Sequence, residues 1–195
     1  MTGNHLAGVT RKRKVSKEEQ TMTIEQHHFM RVMGSFASGV TIITTSDKDG
    51  QARGFTASAI SSLSLDPRML LVCVNEHSTT LDQIKEAGSF AVNILSTDQQ
   101  EIAQRFATRR DDRFGGVRWR PGASTGAPVI DGSLAYAECR LKDTCQGGDH
   151  VILMGEVVGG DANEAEPLLY FRGRYGTYEA VVAPVVHPAD IWEIW

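Results

Sequence analysis

The stretch Val40-Thr41-Ile42-Ile43-Thr44-Thr45-Ser46-Asp47-Lys48-Asp49-Gly50 decides the fold. Its six leading residues are all β-branched and fit a pleated strand better than a helix. The Asp-Lys-Asp-Gly that follows supplies the short polar side chains and the glycine of a hairpin turn. A return strand is expected from Phe55 to about Ser61. Asp66-Pro67 then breaks the chain before Met69-Leu70-Leu71-Val72-Cys73-Val74, an unbroken apolar run that predicts a strand buried on both faces at the centre of the sheet.

On the N-terminal side, Thr23 and Gln26 have capping-box spacing, so a helix should begin there. Phe29, Val32, Met33 and Phe36 fall on one helical face, read as core, and Gly39 can end the helix. On the C-terminal side, Ser78 or Thr79 can cap a short helix through Leu81, Ile84 and Ala87, closed by Gly88 and followed by a buried strand over residues 89–95. Thr97 and Gln100 repeat the capping-box spacing ahead of Ile102, Ala103 and Phe106, and residues 109–126 read as an exposed loop. Long strands over 133–143 and 149–158 flank the Gln146-Gly147-Gly148 turn, and a short one covers 167–170. Many strands, few helices and hairpin-length links predict a mainly β fold, its largely antiparallel sheet closed or nearly closed into a barrel. Only residues 69–95 leave room for a parallel crossover.

A chain of 195 residues, 41% of them hydrophobic, can bury one substantial core. One domain over residues 23–180 is expected, with a basic tail at 1–22 and an extension at 181–195 carrying Trp192 and Trp195. Arg11, Lys12, Arg13, Lys14 and Lys17 come without the apolar stretch of a secretory signal, so the tail reads as solvated. A net charge of −4 gives no global reason to bind nucleic acid. No apolar run approaches the roughly 18 residues that cross a bilayer. Cys73, Cys139 and Cys145 are odd in number and lack C-x-x-C spacing, which points to a reducing, cytoplasmic setting.

The chain has no G-x-G-x-x-G after a strand, no G-x-x-x-x-G-K-[ST] and no H-E-x-x-H, no G-x-S-x-G presents a serine nucleophile, and its histidines show no metal-ligand spacing. Hydrolytic and metal-dependent readings therefore start low. What it does hold is a series of small residues, Thr56-Ala57-Ser58-Ala59 and then Ser61, Ser62 and Ser64, against whose backbone a flat hydrogen-bonding ring can lie. Tight packing of one strand on another explains the same residues. Asn75, Ser78 and Thr79 sit at an expected helix start, where free N–H groups favour a phosphate, and Arg105 or Arg109 can add a charge contact. Capping alone also accounts for Ser78 or Thr79. Gly148-Asp149-His150 places a histidine beside a glycine turn at a barrel rim, able to stack on a nicotinamide or simply to be a partly exposed turn residue.

Taken in order, these segments resemble the flavin reductase domain family, the short-chain reductases that supply two-component monooxygenases. The matching stretches are Phe36-Ala37-Ser38-Gly39-Val40-Thr41, Gly54-Phe55-Thr56-Ala57-Ser58-Ala59, Ser62-Leu63-Ser64-Leu65-Asp66-Pro67, Phe90-Ala91-Val92-Asn93-Ile94-Leu95, Gly148-Asp149-His150 and Pro167-Leu168-Leu169-Tyr170. The resemblance covers roughly residues 24–178. It implies a Greek-key split β-barrel of the FMN-binding type that forms a homodimer. It further implies an NAD(P)H:flavin oxidoreductase that passes reduced flavin to a monooxygenase. Flavin contacts then fall on Thr56, Ala57, Ser58, Ala59, Ser62, Leu63, Ser64, Asn75, Ser78 and Thr79. Gly148, Asp149 and His150 fall on the nicotinamide side, His150 as the catalytic histidine, and Arg105, Phe106, Tyr170 and Tyr175 are further contacts. FMN is favoured over FAD, with NADH or NADPH as donor. The alternatives are a flavin carrier of the same fold without turnover and a pyridoxine-phosphate-type oxidase, which would need more basic residues; a pure interaction module ranks last.

Overall fold

The computed structural model describes residues 24–110 and 112–179; the N-terminal tail, Thr23 and the C-terminal extension with its two tryptophans lie outside them. In chain order the elements are α1 (Gln26–Met33), β1 (Ser38–Gly39), β2 (Thr41–Ser46), β3 (Ala52–Ala57), β4 (Ile60–Leu65), β5 (Arg68–Asn75), α2 (Thr79–Ala87) and β6 (Ser89–Ile94). A 3₁₀ turn (Thr97–Gln99) leads into α3 (Gln100–Ala107), followed by β7 (Trp119–Pro121), β8 (Pro128–Ile130), β9 (Ala135–Gly147), β10 (His150–Ala162), β11 (Leu169–Phe171) and β12 (Arg174–Gly176).

Seven strands form one sheet in the order β3-β2-β6-β9-β10-β5-β4. Consecutive strands β3 and β4 therefore stand at its two ends, joined through Ser58-Ala59. The sheet curls until β3 approaches β5, yet its end strands do not hydrogen-bond to each other, which makes the fold a split barrel. The single return strand expected at residues 55–61 is thus two strands belonging to opposite edges. The ladders are all antiparallel, and α2 links β5 to β6 across the intervening β9 and β10 rather than making a parallel crossover.

β2 is where burial on both faces is found. Ile43 packs into a core with Leu70, Val72, Leu81, Ile84, Phe90 and Leu153, while Val40 and Ile42 face a second core with Leu95, Phe106, Ile130 and Leu168. β5 was expected in this role, but it lies next to the sheet edge and alternates, with Leu70, Val72 and Val74 buried and the residues between them only half-buried. The three threonine hydroxyls of β2 are all occupied. Thr41 donates to Ala57 O at 2.8 Å, Thr45 to Ser89 O at 2.9 Å, and Thr44 to Pro128 O. Asn93 of β6 completes the network, donating to Ile42 O at 3.1 Å and accepting from Ile130 N at 2.8 Å. The hairpin after β2 closes on the Asp47 carboxylate, which accepts from Asp49 N and Gln51 N at 3.0 and 2.8 Å, with Gly50 at φ +75°.

Three helix readings need correction. Glu25 is the N-cap of α1 and the helix stops at Gly34, leaving Gly39 to β1. Its apolar stripe is not core in this chain: Phe29, Val32, Met33 and Phe36 are exposed, Phe36 by 75%. The second capping box sits one residue earlier than its spacing suggested, on Ser96 and Gln99.

Gly155 marks a position where the core admits no side chain. A Cβ there would lie 2.6 Å from Phe90 Cζ and 2.9 Å from Cys139 Cβ. Gly155→Ala should cost about 1–3 kcal/mol through overpacking and lower Tm by several degrees, measured by thermal denaturation.

Candidate functional site

β3 is an end strand, hydrogen-bonded to β2 on one side only, so its outer edge carries no second strand. Two cavities lie along it. Arg53, Gly54 and Phe55 border a cavity of about 700 Å³, together with Asn75, His77, Ser78, Thr79, Thr80, Gln83 and arginines 109, 110 and 113. Thr56, Ala57 and Ser58 border a slot of about 240 Å³ with Val40, Ala107, Tyr170 and Tyr175. The two tyrosine rings meet edge-on at 5.4 Å, and burial pushes the Tyr175 phenol above its ordinary pKa. Thr56 is fixed from behind, its hydroxyl donating to Ala103 O at 2.7 Å.

The larger cavity has the chemistry of an anion site. Ser78 is the N-cap of α2 but makes no side-chain cap bond; Leu81 N donates back to Ser78 O at 3.0 Å, and the N–H groups of Thr79 and Thr80 have no backbone acceptor. Asn75 shapes the approach by accepting from His77 N at 2.9 Å, while its carbonyl accepts from Ser78 N at 3.0 Å. Among the described residues no carboxylate lines the cavity. Arg53 is held and neutralised by Asp47, 2.9 Å away, and Arg113 is pinned by donating to Gly54 O at 2.6 Å and Thr108 O at 3.0 Å. Gln83 Oε1 is buried without a hydrogen-bond partner beside this space, an orphan that a polar ligand would satisfy.

The Gly148-Asp149-His150 turn is brought to the same end of the sheet. His150 pairs across the ladder with Asn75, and Glu76 N donates to Asp149 O at 3.0 Å. Gly148 takes φ +72°, a conformation that favours glycine. The Asp149 carboxylate sits 2.8 Å from His150 Nδ1, which leaves the half-exposed ring's Nε2 directed away from that bond. This hydrogen bond is the main reason the Asp149 carboxyl lies below its ordinary value.

Other expected contacts fall elsewhere. Ser62, Leu63 and Ser64 lie on β4, the opposite end strand, and border neither cavity; the ladder slips between Ser62 and Ser64. Ala59 is exposed at the β3–β4 link, with its carbonyl bonded to Cys73 N. Phe106 is a core residue with 1% exposure, stacked edge-on against Phe114 at 4.8 Å, so it supports Gly54 from within instead of touching a ligand. Arg105 donates to Gly115 O and lines a different cavity. Sequence reasoning missed Arg53, Phe55, Gln83 and Arg113. Only Arg53 carried a signal, since its place across the hairpin from Asp47 matches an ion pair.

Residues 33–179 match the model of the flavin reductase like domain. The chain belongs to this family. It is 43% identical over 153 residues to a flavin reductase (NADH) of Kitasatospora aureofaciens, covering 77% of this chain and 80% of that one. It is 35% identical over 170 residues to the reductase subunit of a flavin-dependent monooxygenase of Mycobacterium tuberculosis, covering 86% and 90%. Among solved structures, the NADH:FAD oxidoreductase of Streptomyces globisporus in complex with NAD and FAD fragments superposes with a TM-score of 0.76 at 31% identity, covering 88% of this chain and 99% of that one. The family member described here is an oxidoreductase with the family's split-barrel fold.

Because the folded Asp149 carboxyl is depressed, its pairing with His150 persists above the unfolded pKa and is lost as pH falls through the folded one. Carboxyl NMR titration should place Asp149 below 3.8 in the native chain, and His150→Ala should return it towards 3.8.

Proposed function

We propose that this chain reduces a flavin with NADH or NADPH and passes the reduced flavin to a monooxygenase component, with residues 23–180 forming the catalytic unit. The observation that carries the reading is the edge strand β3. One half of it borders an arginine-lined cavity at a helix start, and the other half borders a slot of small and aromatic residues. A phosphate and a ring joined by a short polar chain fit that division. Ser78, Thr79, Asn75 and Arg109 hold the phosphate, while Thr56, Ala57 and Ser58 offer backbone and hydroxyl partners to the ring. Bound flavin supplies an acceptor at N5 for the hydride that nicotinamide C4 gives up.

The protein's own part is placement, since hydride transfer asks for two rings in contact more than for a strong acid or base. His150 is the residue that orients the nicotinamide. Its Nδ1 engages Asp149, so Nε2 remains for the carboxamide or the ring face. Its register beside Asn75 sets the nicotinamide end close to the phosphate cavity. Gly148 keeps the approach open, and Tyr170 and Tyr175 shield the slot from water. Relatives that are reductase subunits of monooxygenases support the choice of partner. The exposed apolar face of α1 supports a homodimer. No helix among the described residues is long and apolar enough to cross a membrane; free cysteines and a nicotinamide substrate support a cytoplasmic setting.

Oxidation of NADH or NADPH followed at 340 nm should depend on added flavin; flavin binding without any turnover would replace this reading with a carrier. His150→Ala should raise the nicotinamide KM by about tenfold, the scale of one lost charge-assisted contact, and change flavin affinity much less; equal effects on both would remove His150 from its role. Sedimentation should give a dimer that Met33→Asp and Phe36→Asp convert towards monomer, and a wild-type monomer would refute the assembly.

A further inference from the structure

The chain that leaves α3 turns around a single acceptor. Thr108 O receives Arg110 N at 3.0 Å and Arg113 Nε at 3.0 Å. The same guanidinium donates from Nη1 to Gly54 O at 2.6 Å, on the outer edge of β3. One planar group therefore ties the end of α3 to the edge strand, and two of its donors are committed to carbonyls. Between Thr108 and Arg113 the chain carries Arg109 and Arg110, both exposed and both on the wall of the larger cavity.

We infer that Arg113 is a positioning residue for phosphate recognition, acting through Arg109 and Arg110 and not by a contact of its own with the ligand. The inference rests on the flavin-reductase reading and concerns what makes its anion cavity effective. An exposed arginine on an untethered segment samples many conformations, and an anion that captures it must offset the lost entropy. Tying the segment to Thr108 O and to β3 removes the backbone share of that cost in advance. The tie needs a guanidinium, whose rigid fork spans two carbonyls, whereas a lysine ammonium is one point on a flexible stem. Neighbouring charges leave Arg109 as the main cation so placed. Arg53 is neutralised by Asp47, and His77 lies 3.8 Å from Glu76. Arg105 donates to Gly115 O and lines the other cavity beside Glu101 and Asp131, a cavity that Arg110 borders as well and Arg109 does not. Asp112 packs on Gly115, where a Cβ would strike its carboxylate.

Riboflavin and FMN differ only in the phosphate, so comparing them separates this role from general scaffolding. Arg113→Lys keeps the charge and removes the fork; Arg113→Gln, neutral but able to donate to one carbonyl, is the second variant, and thermal denaturation confirms that each folds. In fluorescence titrations without nicotinamide, both should weaken FMN about tenfold, the scale of one lost charge-assisted contact, and change riboflavin by no more than about twofold. Placed on an Arg109→Ala, Arg110→Ala background, Arg113→Lys should add less than about twofold to the FMN constant, because the groups it positions are gone. Equal weakening of both flavins, or no weakening of FMN, overturns the inference. So does a full loss on the double-alanine background, which would make Arg113 a direct phosphate ligand. Wild type that binds neither flavin is a different failure, that of the flavin-reductase reading itself; the positioning role is then decided by calorimetry with inorganic phosphate, where the same loss and the same non-additivity must appear.

Discussion

Thr41, Ile42, Ile43, Thr44 and Thr45 are all buried, although three of them carry hydroxyls. A strand covered on both faces has no water to satisfy its polar side chains, so each hydroxyl must find a protein acceptor or cost about 1–3 kcal/mol as an orphan. Here the acceptors belong to three different segments. Thr41 reaches β3, Thr45 reaches β6, and Thr44 with Asn93 reaches Pro128 on β8. One strand therefore sets the position of its neighbours in the sheet and of a segment lying across it. Everything that forms the site hangs from this arrangement, because β3 has no other strand to fix it.

The same arrangement explains why β3 can stay open. An unpaired edge normally invites association with another chain. Here the outer side is guarded: Arg113 caps the Gly54 carbonyl, Arg53 stands in the strand paired with Asp47, and α3 lies against it through Thr56. A Cβ at Gly54 would lie 2.7 Å from Ile43 O and 3.2 Å from Phe106 Cε1, so only glycine lets the strand sit this close to β2 and α3. Phe106 and Gly54 are thus a matched pair, a core aromatic whose bulk requires a glycine at the cavity wall. Geometry at β3 is consequently a packing property, set by buried residues.

Much of this was legible in the residues. The β2 hairpin, α2 closed by Gly88 and the two long strands around Gly148 announced themselves through local chemistry that tertiary context does not alter. What stayed hidden were relations between distant elements. An apolar run such as Met69–Val74 has the same appearance whether it is central or penultimate, since burial depends on what packs against each face. The stripe Phe29, Val32, Met33 and Phe36 has core periodicity because any covered helical face has it; periodicity does not say whether the cover comes from the same chain. The small-residue run 56–64 hid the most consequential event, the passage at Ser58-Ala59 from one end of the sheet to the other. That passage sends Thr56, Ala57 and Ser58 to the slot and Ser62, Leu63 and Ser64 to the opposite edge. Arg113 left no trace because its value lies in reaching Gly54, fifty-nine residues away along the chain.

Exposure of the polar groups at the site bears directly on its task. Asn75, Thr79, Arg109 and Arg110 are all exposed, and Ser78 is only half-buried. Interactions made by such groups compete with water and are screened over about 8–10 Å by physiological salt, so they steer an anionic ligand inward more than they retain it. A deeply enclosed phosphate site would slow release, because affinity differences among related sites reside mostly in the dissociation rate. An enzyme whose product must leave for another protein is served by the opposite design. On the proposed function, the aromatic and small residues of the slot select a flat ring, the arginines draw in its phosphate, and neither encloses it. Rigid placement by the buried threonine network then supplies the precision that tight binding would otherwise provide.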